Sequence, residues 1–215
     1  MKRALGLALV SLVAVGFAPS PSRAMTTHPL VNDPVGDVDG LPLACVAESC
    51  VSTLPGHDPS LDIVTGDLSA TSSVLRAAVQ VDDVDAPLSD DAVMEAGYVA
   101  VVELLDGTLA IEGLRDPSTG VARVRVLYDP PGPELFLLEV PDADVAVVAD
   151  DTVVMTVTFD AVNRVITGAG GRAIGLGTAV DVQFATRRWR GSSVVQAGPA
   201  ADHAGSGGVT YRLGD

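Results

Sequence analysis

The sequence predicts an all-β protein, an antiparallel β-sandwich of jelly-roll or immunoglobulin-like type, with about nine or ten strands and little helix. The clearest observation is the stretch 74–81, where apolar residues alternate with Arg76, Ala78 and Gln80 as in a half-buried strand. Asp106-Gly107 stands between two apolar runs, which is a strong hairpin signal. Short runs separated by turn residues fill the remainder, and no long stretch has the period of an amphipathic helix.

The first half of the chain leads into the sandwich and forms its opening strands. Residues 25–60 are polar and rich in proline and glycine, which predicts an N-terminal lead-in and a long loop. The acidic segment 82–95 predicts a further loop. Strands are predicted in this half at 61–68, 74–81, 98–105 and 108–113.

The second half adds a second hairpin and a crossover. The proline-rich segment 129–133 must interrupt the sheet, because proline cannot donate to a ladder. The run 135–140 is apolar on both faces and predicts a central strand, while Asp150-Asp151 joins two strands of a hairpin. The segment 161–177 predicts a short helix or an irregular crossover, and 191–208 a polar loop. The remaining strands are predicted at 121–127, 145–149, 152–159, 180–189 and 209–213.

The amino terminus has the pattern of a secretory signal peptide over residues 1–24. Lys2 and Arg3 precede an apolar run that ends at Ala18, and Ser22-Arg23-Ala24 suits a small-residue cleavage site. The apolar run is too short to span a bilayer. We therefore expect a secreted, extracellular chain without a membrane span, forming one domain over 25–215 with its sandwich at 61–215.

The charge balance of the mature chain is strongly acidic. Without residues 1–24 it has ten arginines, no lysine and 28 acidic residues, a net charge of −18. The absence of lysine excludes catalysis by a lysine side chain. The acidity argues against binding of nucleic acid, which requires a basic surface. Arginine without lysine, with abundant alanine, valine and glycine, is typical of a GC-rich bacterial genome. The acidity serves solubility through self-repulsion or, alternatively, the binding of cations.

Cys45 and Cys50 are the only two cysteines, and in an exported chain they are expected to form a disulfide. The closed loop is short, so the bridge is expected to stabilise by on the order of 2 kcal/mol and to fix a local loop.

Four short segments give the chain its resemblance to a known family. They are Asp-Pro-Val-Gly-Asp at 33–37, Ser-Leu-Asp-Ile at 60–63, Ala-Asp at 201–202 and Val-Thr-Tyr at 209–211. In these the chain resembles secreted bacterial β-sandwiches related to DOMON domains and family 9 carbohydrate-binding modules. The resemblance implies that the opening aspartate loop lies near the final loop, that calcium is bound in some members, and that sugar-binding members use exposed aromatics.

The aspartates of the opening segment form a candidate calcium site. Asp33, Asp37 and Asp39 supply three carboxylates within seven residues, and Asp62 and Asp202 are expected to approach them. Calcium takes six to eight oxygen ligands in flexible geometry, and outside the cell even a weak site is filled. The alternative is that Asp33 and Asp37 form Asx-type turns and remain solvated.

Trp189 is the best candidate for a ligand-binding aromatic. It lies within Arg187-Arg188-Trp189-Arg190, whereas most of the other aromatic residues occupy alternating positions that suit the core. The alternative is a half-buried tryptophan at a strand end, packed against arginine stems.

No pattern of catalytic residues points to an enzyme. Gly205-Ser206-Gly207 lacks the context of a nucleophile elbow, and no His-Glu-x-x-His segment occurs. Acidic residues are numerous enough for a glycosidase pair, but no arrangement singles out two of them. The sequence therefore predicts a non-catalytic binding module for a carbohydrate or cell-surface ligand. An exported accessory or structural protein and a secreted hydrolase are the alternatives.

Overall fold

The protein is an antiparallel β-sandwich, as the sequence predicts. The computed structural model describes residues 30–33, 43–46, 49–52, 59–86, 95–116, 122–131, 136–141, 143–148, 150–189 and 197–215. These residues form a five-stranded sheet, a six-stranded sheet, a separate two-stranded hairpin and one helix. No helix in these ranges is both long enough and apolar enough to cross a membrane.

The elements follow one another along the chain with a single helix before the last two strands. In chain order the strands and helix are β1 Val31–Asn32, β2 Leu43–Val46, β3 Ser49–Ser52, β4 Ile63–Ala70, β5 Val74–Val81, β6 Glu95–Leu104, β7 Gly107–Arg115, β8 Ala122–Asp129, β9 Phe136–Glu139, β10 Asp144–Val148, β11 Thr152–Thr158, α1 Phe159–Gly168, β12 Ala179–Trp189 and β13 Ala197–Arg212.

The two sheets are assembled from strands that are distant in sequence. The five-stranded sheet has the order β1-β4-β5-β11-β10, and the six-stranded sheet has the order β13-β12-β6-β7-β8-β9. Among the described strands, β2 and β3 pair only with each other. Both predicted hairpins are confirmed, although the turn of the first is Leu105-Asp106, one residue earlier than predicted. Asp150 and Asp151 have φ values of 59° and 52°, in the left-handed region that residues other than glycine seldom adopt.

The core fills the space between the inward faces of the two sheets. Met155 and Phe184 are fully buried, and each occupies space left by a glycine of the facing sheet. A Cβ at Gly66 would collide with the ring of Phe184, and a Cβ at Gly113 would lie 2.8 Å from Cγ of Met155. These close approaches fix which face of each strand points inward.

Of the two alternatives predicted for 161–177, the structure has the short helix. This helix, α1, begins two residues earlier, at Phe159. The Thr158 hydroxyl accepts a hydrogen bond from the backbone N–H of Ala161 at 3.2 Å and so caps the first turn. Gly170 ends the helix with φ of +82°, and the N–H of Gly171 donates to the carbonyl of Ile166, as in a Schellman motif. The buried side of the helix contacts β8, β9 and β11.

Three predictions about elements are wrong. The segment predicted as a loop at 191–208 contains most of β13, which pairs with β12 through three register shifts. The strand predicted at 135–140 as central is β9, which lies at the edge of the six-stranded sheet. The lead-in at 25–60 contains β1 and the β2–β3 hairpin. In each case backbone pairing, which leaves little trace in the sequence pattern, decides the outcome.

Candidate functional site

The predicted aspartate site lies around a buried segment that enters β4. The backbone carbonyls of four successive residues, 59–62, all accept hydrogen bonds from other parts of the chain. The donors are Asp83 N–H to Pro59 at 3.0 Å, Tyr98 hydroxyl to Ser60 at 3.1 Å, Thr186 hydroxyl to Leu61 at 2.5 Å and Asp82 N–H to Asp62 at 3.0 Å. Because these donors come from β6, β12 and the turn after β5, the segment is held between the two sheets.

Asp62 and Asp33 lie at the same end of the five-stranded sheet. Asp62 has no solvent-exposed surface. The backbone N–H of Asp33 donates to the carbonyl of Val64 at 3.0 Å, which extends the pairing of β1 with β4 by one residue. The structure therefore places these two aspartates at the ends of the adjacent strands β1 and β4, close to the segment described above.

Asp202 belongs to β13 and approaches the same end of the molecule through its backbone. Its register partner is Thr186, whose hydroxyl binds the carbonyl of Leu61. Strands β1 and β4 both contact β13. Asp37 and Asp39 lie outside the described residues. Within the described ranges no group of three histidine, cysteine or acidic residues is arranged to hold a metal ion.

The two cysteines are register partners in the β2–β3 hairpin. Directly opposite residues of an antiparallel pair have Cα atoms about 4.5–5.5 Å apart. Disulfides span Cα distances of about 4.4–6.8 Å. The backbone register of Cys45 and Cys50 is thus compatible with the predicted bridge, which stays a prediction.

A second candidate site, not anticipated from the sequence, lies on the outer face of the six-stranded sheet. Gly113 faces the core, so its neighbours Glu112 and Leu114 point away from it. Arg125 of β8 is the register partner of Glu112, and its Nη2 lies 2.9 Å from Glu112 Oε2. The two side chains are 2% and 1% exposed, so this ion pair is closed to solvent.

A second, more accessible set of charges on the same face surrounds Arg123, two residues before Arg125 on β8. Arg123 donates from Nη2 to Glu95 Oε2 at 2.8 Å, and its Nη1 lies 3.8 Å from Glu139 Oε1. The exposed fractions of the three side chains are 35%, 19% and 62%. We call Glu95, Glu112, Arg123, Arg125 and Glu139 the Glu–Arg cluster; it runs from a buried pair to a solvent-exposed rim.

A cavity of about 390 Å³ opens beside this rim. Arg123 and Glu139 contribute its charged lining, and Val140, Pro141 and Ala143 contribute its apolar side. The cavity is an open depression that brings donors, acceptors and carbon surface together in one place.

Arg187 brings β12 to the same face. Arg187 follows Thr186, which points inward to Leu61, and its register partner in β6 is Gly97, which has no side chain. Arg187 Nε is shielded from solvent, and no hydrogen-bond acceptor reaches it in the described part of the chain. Trp189 is the register partner of Glu95. The predicted ligand-binding residue thus stands at the backbone position next to the Glu–Arg cluster.

The sequence carried a faint signal of this cluster. Arg123 and Arg125 alternate with apolar residues on β8, and Glu112 interrupts an apolar strand. Such residues normally indicate a solvated face. The Glu112–Arg125 pair depends on the register of β7 against β8. The contacts of Arg123 depend on β6 and β9 joining the same sheet. Alternation along a single strand predicts neither.

Comparison with protein-family models gives no match for this chain, and comparison with curated proteins gives no relative.

Proposed function

We propose that this chain is an exported, non-catalytic binding module whose ligand surface is the rim of the Glu–Arg cluster. The observation that carries the proposal is the open cavity lined by Arg123 and Glu139, whose side chains lie 3.8 Å apart on the same sheet face as the buried Glu112–Arg125 pair. Arg125 and Glu112 fix the β7–β8 backbone beneath it. A site held in this way keeps its polar groups in place before the ligand arrives.

The surface crosses most of the six-stranded sheet. Arg187 on β12, Glu95 on β6, Arg123 on β8 and Glu139 on β9 follow the strand order β12-β6-β7-β8-β9. With neighbouring strands about 4.8 Å apart, the line is roughly 19 Å long. This length favours an extended ligand over a single small molecule.

The chemistry of the surface favours a carbohydrate. Sugar hydroxyls both donate and accept hydrogen bonds, and alternating carboxylates and guanidinium groups supply both partners. Arg187 is partly exposed on the same face and adds a further guanidinium group. An aromatic ring at Trp189 would add a platform for the apolar face of a sugar ring. Another extended ligand of the cell surface with the same hydroxyl-rich chemistry would be bound by the same groups.

A polysaccharide array tests the proposal directly. The mature protein is expected to be retained by at least one polysaccharide, and Arg123→Ala is expected to weaken retention about tenfold or more, since one charged hydrogen-bonding group is lost. Arg164→Ala is the matched control, because Arg164 is exposed on helix α1. Retention of no polysaccharide, or equal loss in both variants, would refute this function.

We further propose that calcium stabilises the aspartate end of the module. The supporting observations are the buried carboxylate of Asp62, the adjacent Asp33 and the approach of the Asp202 backbone through β13. Carboxylate oxygens suit a hard cation, and Asp37 and Asp39 belong to the same proposed set. A bound ion would join β1, β4 and β13, so removing it should lower the melting temperature.

Thermal melting in millimolar calcium and in chelator tests this second proposal. We expect the midpoint to rise with calcium in the wild type and to become insensitive to calcium in Asp33→Asn. Exposed Asp160→Asn on helix α1 should keep the response. An unchanged wild-type midpoint would refute the calcium proposal and would not affect the carbohydrate proposal.

A further inference from the structure

In the part of the chain that the structure describes, the two sheets have four edge strands, and these differ in how they are protected. The edges are β1 and β10 in the five-stranded sheet, and β13 and β9 in the six-stranded sheet. An edge strand presents unpaired N–H and C=O groups to any other extended chain. Proteins usually block such edges with short strands, proline, bulges or charged side chains.

Three of the four edges carry such protection. Strand β1 has only two residues, and β9 has four and ends in Glu139 before Pro141. Strand β13 is long, but it contains Pro199 and pairs with β12 through three register shifts. Each of these features makes regular pairing with a further strand unfavourable.

Strand β10 has the weakest protection, a single charged residue, Asp144, at its first position. Its five residues pair with β11 in continuous register without a bulge. The sequence Asp-Val-Ala-Val-Val contains no proline and no basic residue. Val147 and Val148 are 44% and 38% exposed, and they are two of the four large apolar side chains that the described residues leave exposed. No described strand pairs with the outer side of β10.

We propose that β10 is a self-association edge, where a second copy of this chain adds its own β10 antiparallel about a two-fold axis. Centring the axis at Ala146 would set Asp144 opposite the partner's Val148, and Val145 opposite the partner's Val147. The single acid of the strand would then face no like charge across the pair. Val145 already reaches the facing sheet at Gly113, so this register would extend the core over exposed Val147.

The pairing fits a weak, salt-dependent dimer. Five-residue edges bury less than the roughly 1,000 Å² expected of a stable interface. Each copy also carries a formal net charge of −15, and −18 without residues 1–24, so two copies repel each other at low ionic strength. Salt screens this repulsion over about 10 Å at 0.1 M. Association should therefore strengthen as salt is added, unlike an interface held by ion pairs.

Sedimentation equilibrium of the mature protein at several concentrations and salt levels tests the proposal. We expect a monomer–dimer equilibrium that shifts towards dimer with salt, and a decrease of about tenfold or more in the association constant for Val147→Lys. The added lysine reduces the net negative charge of each copy, so general electrostatics would act in the opposite direction. Val148→Lys is a second variant with the same expected effect.

Leu105→Lys is the matched control. Leu105 is 93% exposed at the tip of the β6–β7 hairpin, away from any sheet edge, so the same substitution there should leave association unchanged. Hydrogen exchange of residues 144–148 should also slow as protein concentration rises. A protein that stays monomeric under all conditions, or that loses association in Leu105→Lys but not in the β10 variants, would overturn the proposal.

Discussion

Glu112 and Arg125 place two opposite charges on the outer face of a sheet at a point that solvent does not reach. Burying two charges costs several kcal/mol each, and their attraction offsets this only while both partners are present. The pair therefore makes the register of β7 against β8 specific, because a slip of one residue would leave both charges buried without each other.

Removing one member of this pair should be costly, and removing both should not be. Arg125→Met is expected to lower the free energy of unfolding by about 3–5 kcal/mol, and adding Glu112→Leu should recover most of that loss. Urea denaturation measures both. Arg123→Met is the control, because its partly exposed pair with Glu95 should be worth about 1 kcal/mol or less. Additive losses in the double variant would contradict this view.

Tyr128 makes stability depend on pH in the alkaline range. Burial raises the pKa of Tyr128 above its ordinary value of 10.0, and the charge of Asp106 and hydrogen bonding with it raise the pKa further. The Tyr128 hydroxyl donates to the carbonyl of Asp106 at 2.6 Å. Above pH 10 the unfolded chain loses this proton before the folded protein does. The stability is therefore complete below pH 10 and is lost as pH rises through the raised pKa.

Denaturation in urea across the alkaline range checks this prediction. The wild type should lose stability more steeply above pH 10 than Tyr128→Phe, which cannot ionise at that position. The tyrosinate absorbance that disappears in Tyr128→Phe should titrate above the ordinary tyrosine range. Identical pH slopes for the two proteins would show that Tyr128 ionises equally in both states.

Individual side chains could be assigned to a face from the sequence, but not to a partner. The alternation on β8 gave the outward position of Arg125, whereas its partner Glu112 follows from the β7–β8 register. Trp189 was selected as a ligand residue from its arginine neighbours, and its backbone position beside Glu95 follows only from the pairing of β12 with β6.

The contact of β4 with β12 depends on a glycine. A Cβ at Gly66 would lie 2.5 Å from Cγ of Phe184 and closer still to Cδ2, so the fully buried ring would have to move. Gly66→Ala is expected to cost about 1–3 kcal/mol of stability or more. Thermal or urea unfolding measures the loss.

A second substitution shows whether the clash is the cause. Adding Phe184→Leu to Gly66→Ala should restore part of the stability, although Phe184→Leu alone destabilises. Gly168→Ala in helix α1 is the control, since nothing lies within 4 Å of a Cβ there, and it should be neutral or stabilising. Equal effects of the two glycine substitutions would argue against close packing at Gly66.

Strands with a strong alternating pattern were predictable, and strands fixed by backbone pairing were not. Residues 74–81 give β5 without error, because Leu75, Val79 and Val81 face the core and Arg76 and Gln80 do not. In β13, glycine and alanine provide no alternation of size or polarity, so only pairing with β12 defines the strand. Strand β9 is apolar although it lies at the edge of the six-stranded sheet, because helix α1 packs against it.

The complete molecule consists of two β-sheets that share one core. Its two groups of charged residues, the aspartates and the Glu–Arg cluster, lie at separate places. The aspartates Asp33 and Asp62 lie where β1 and β4 meet, beside β13. The Glu–Arg cluster lies on the outer face of the six-stranded sheet, with its rim towards β9. The layered fold followed from strand count and turn signals. The order of strands in each sheet did not, because connections between distant strands have no local signature.

Hydrogen–deuterium exchange of the mature protein, with and without the polysaccharide that retains it, is the most direct test of this arrangement. Bound ligand should slow exchange in β6, β8 and β9, where Glu95, Arg123 and Glu139 reside, and in the last residues of β12. Slower exchange confined to helix α1 or to β10 and β11, with β6, β8 and β9 unchanged, would show that the ligand surface lies elsewhere.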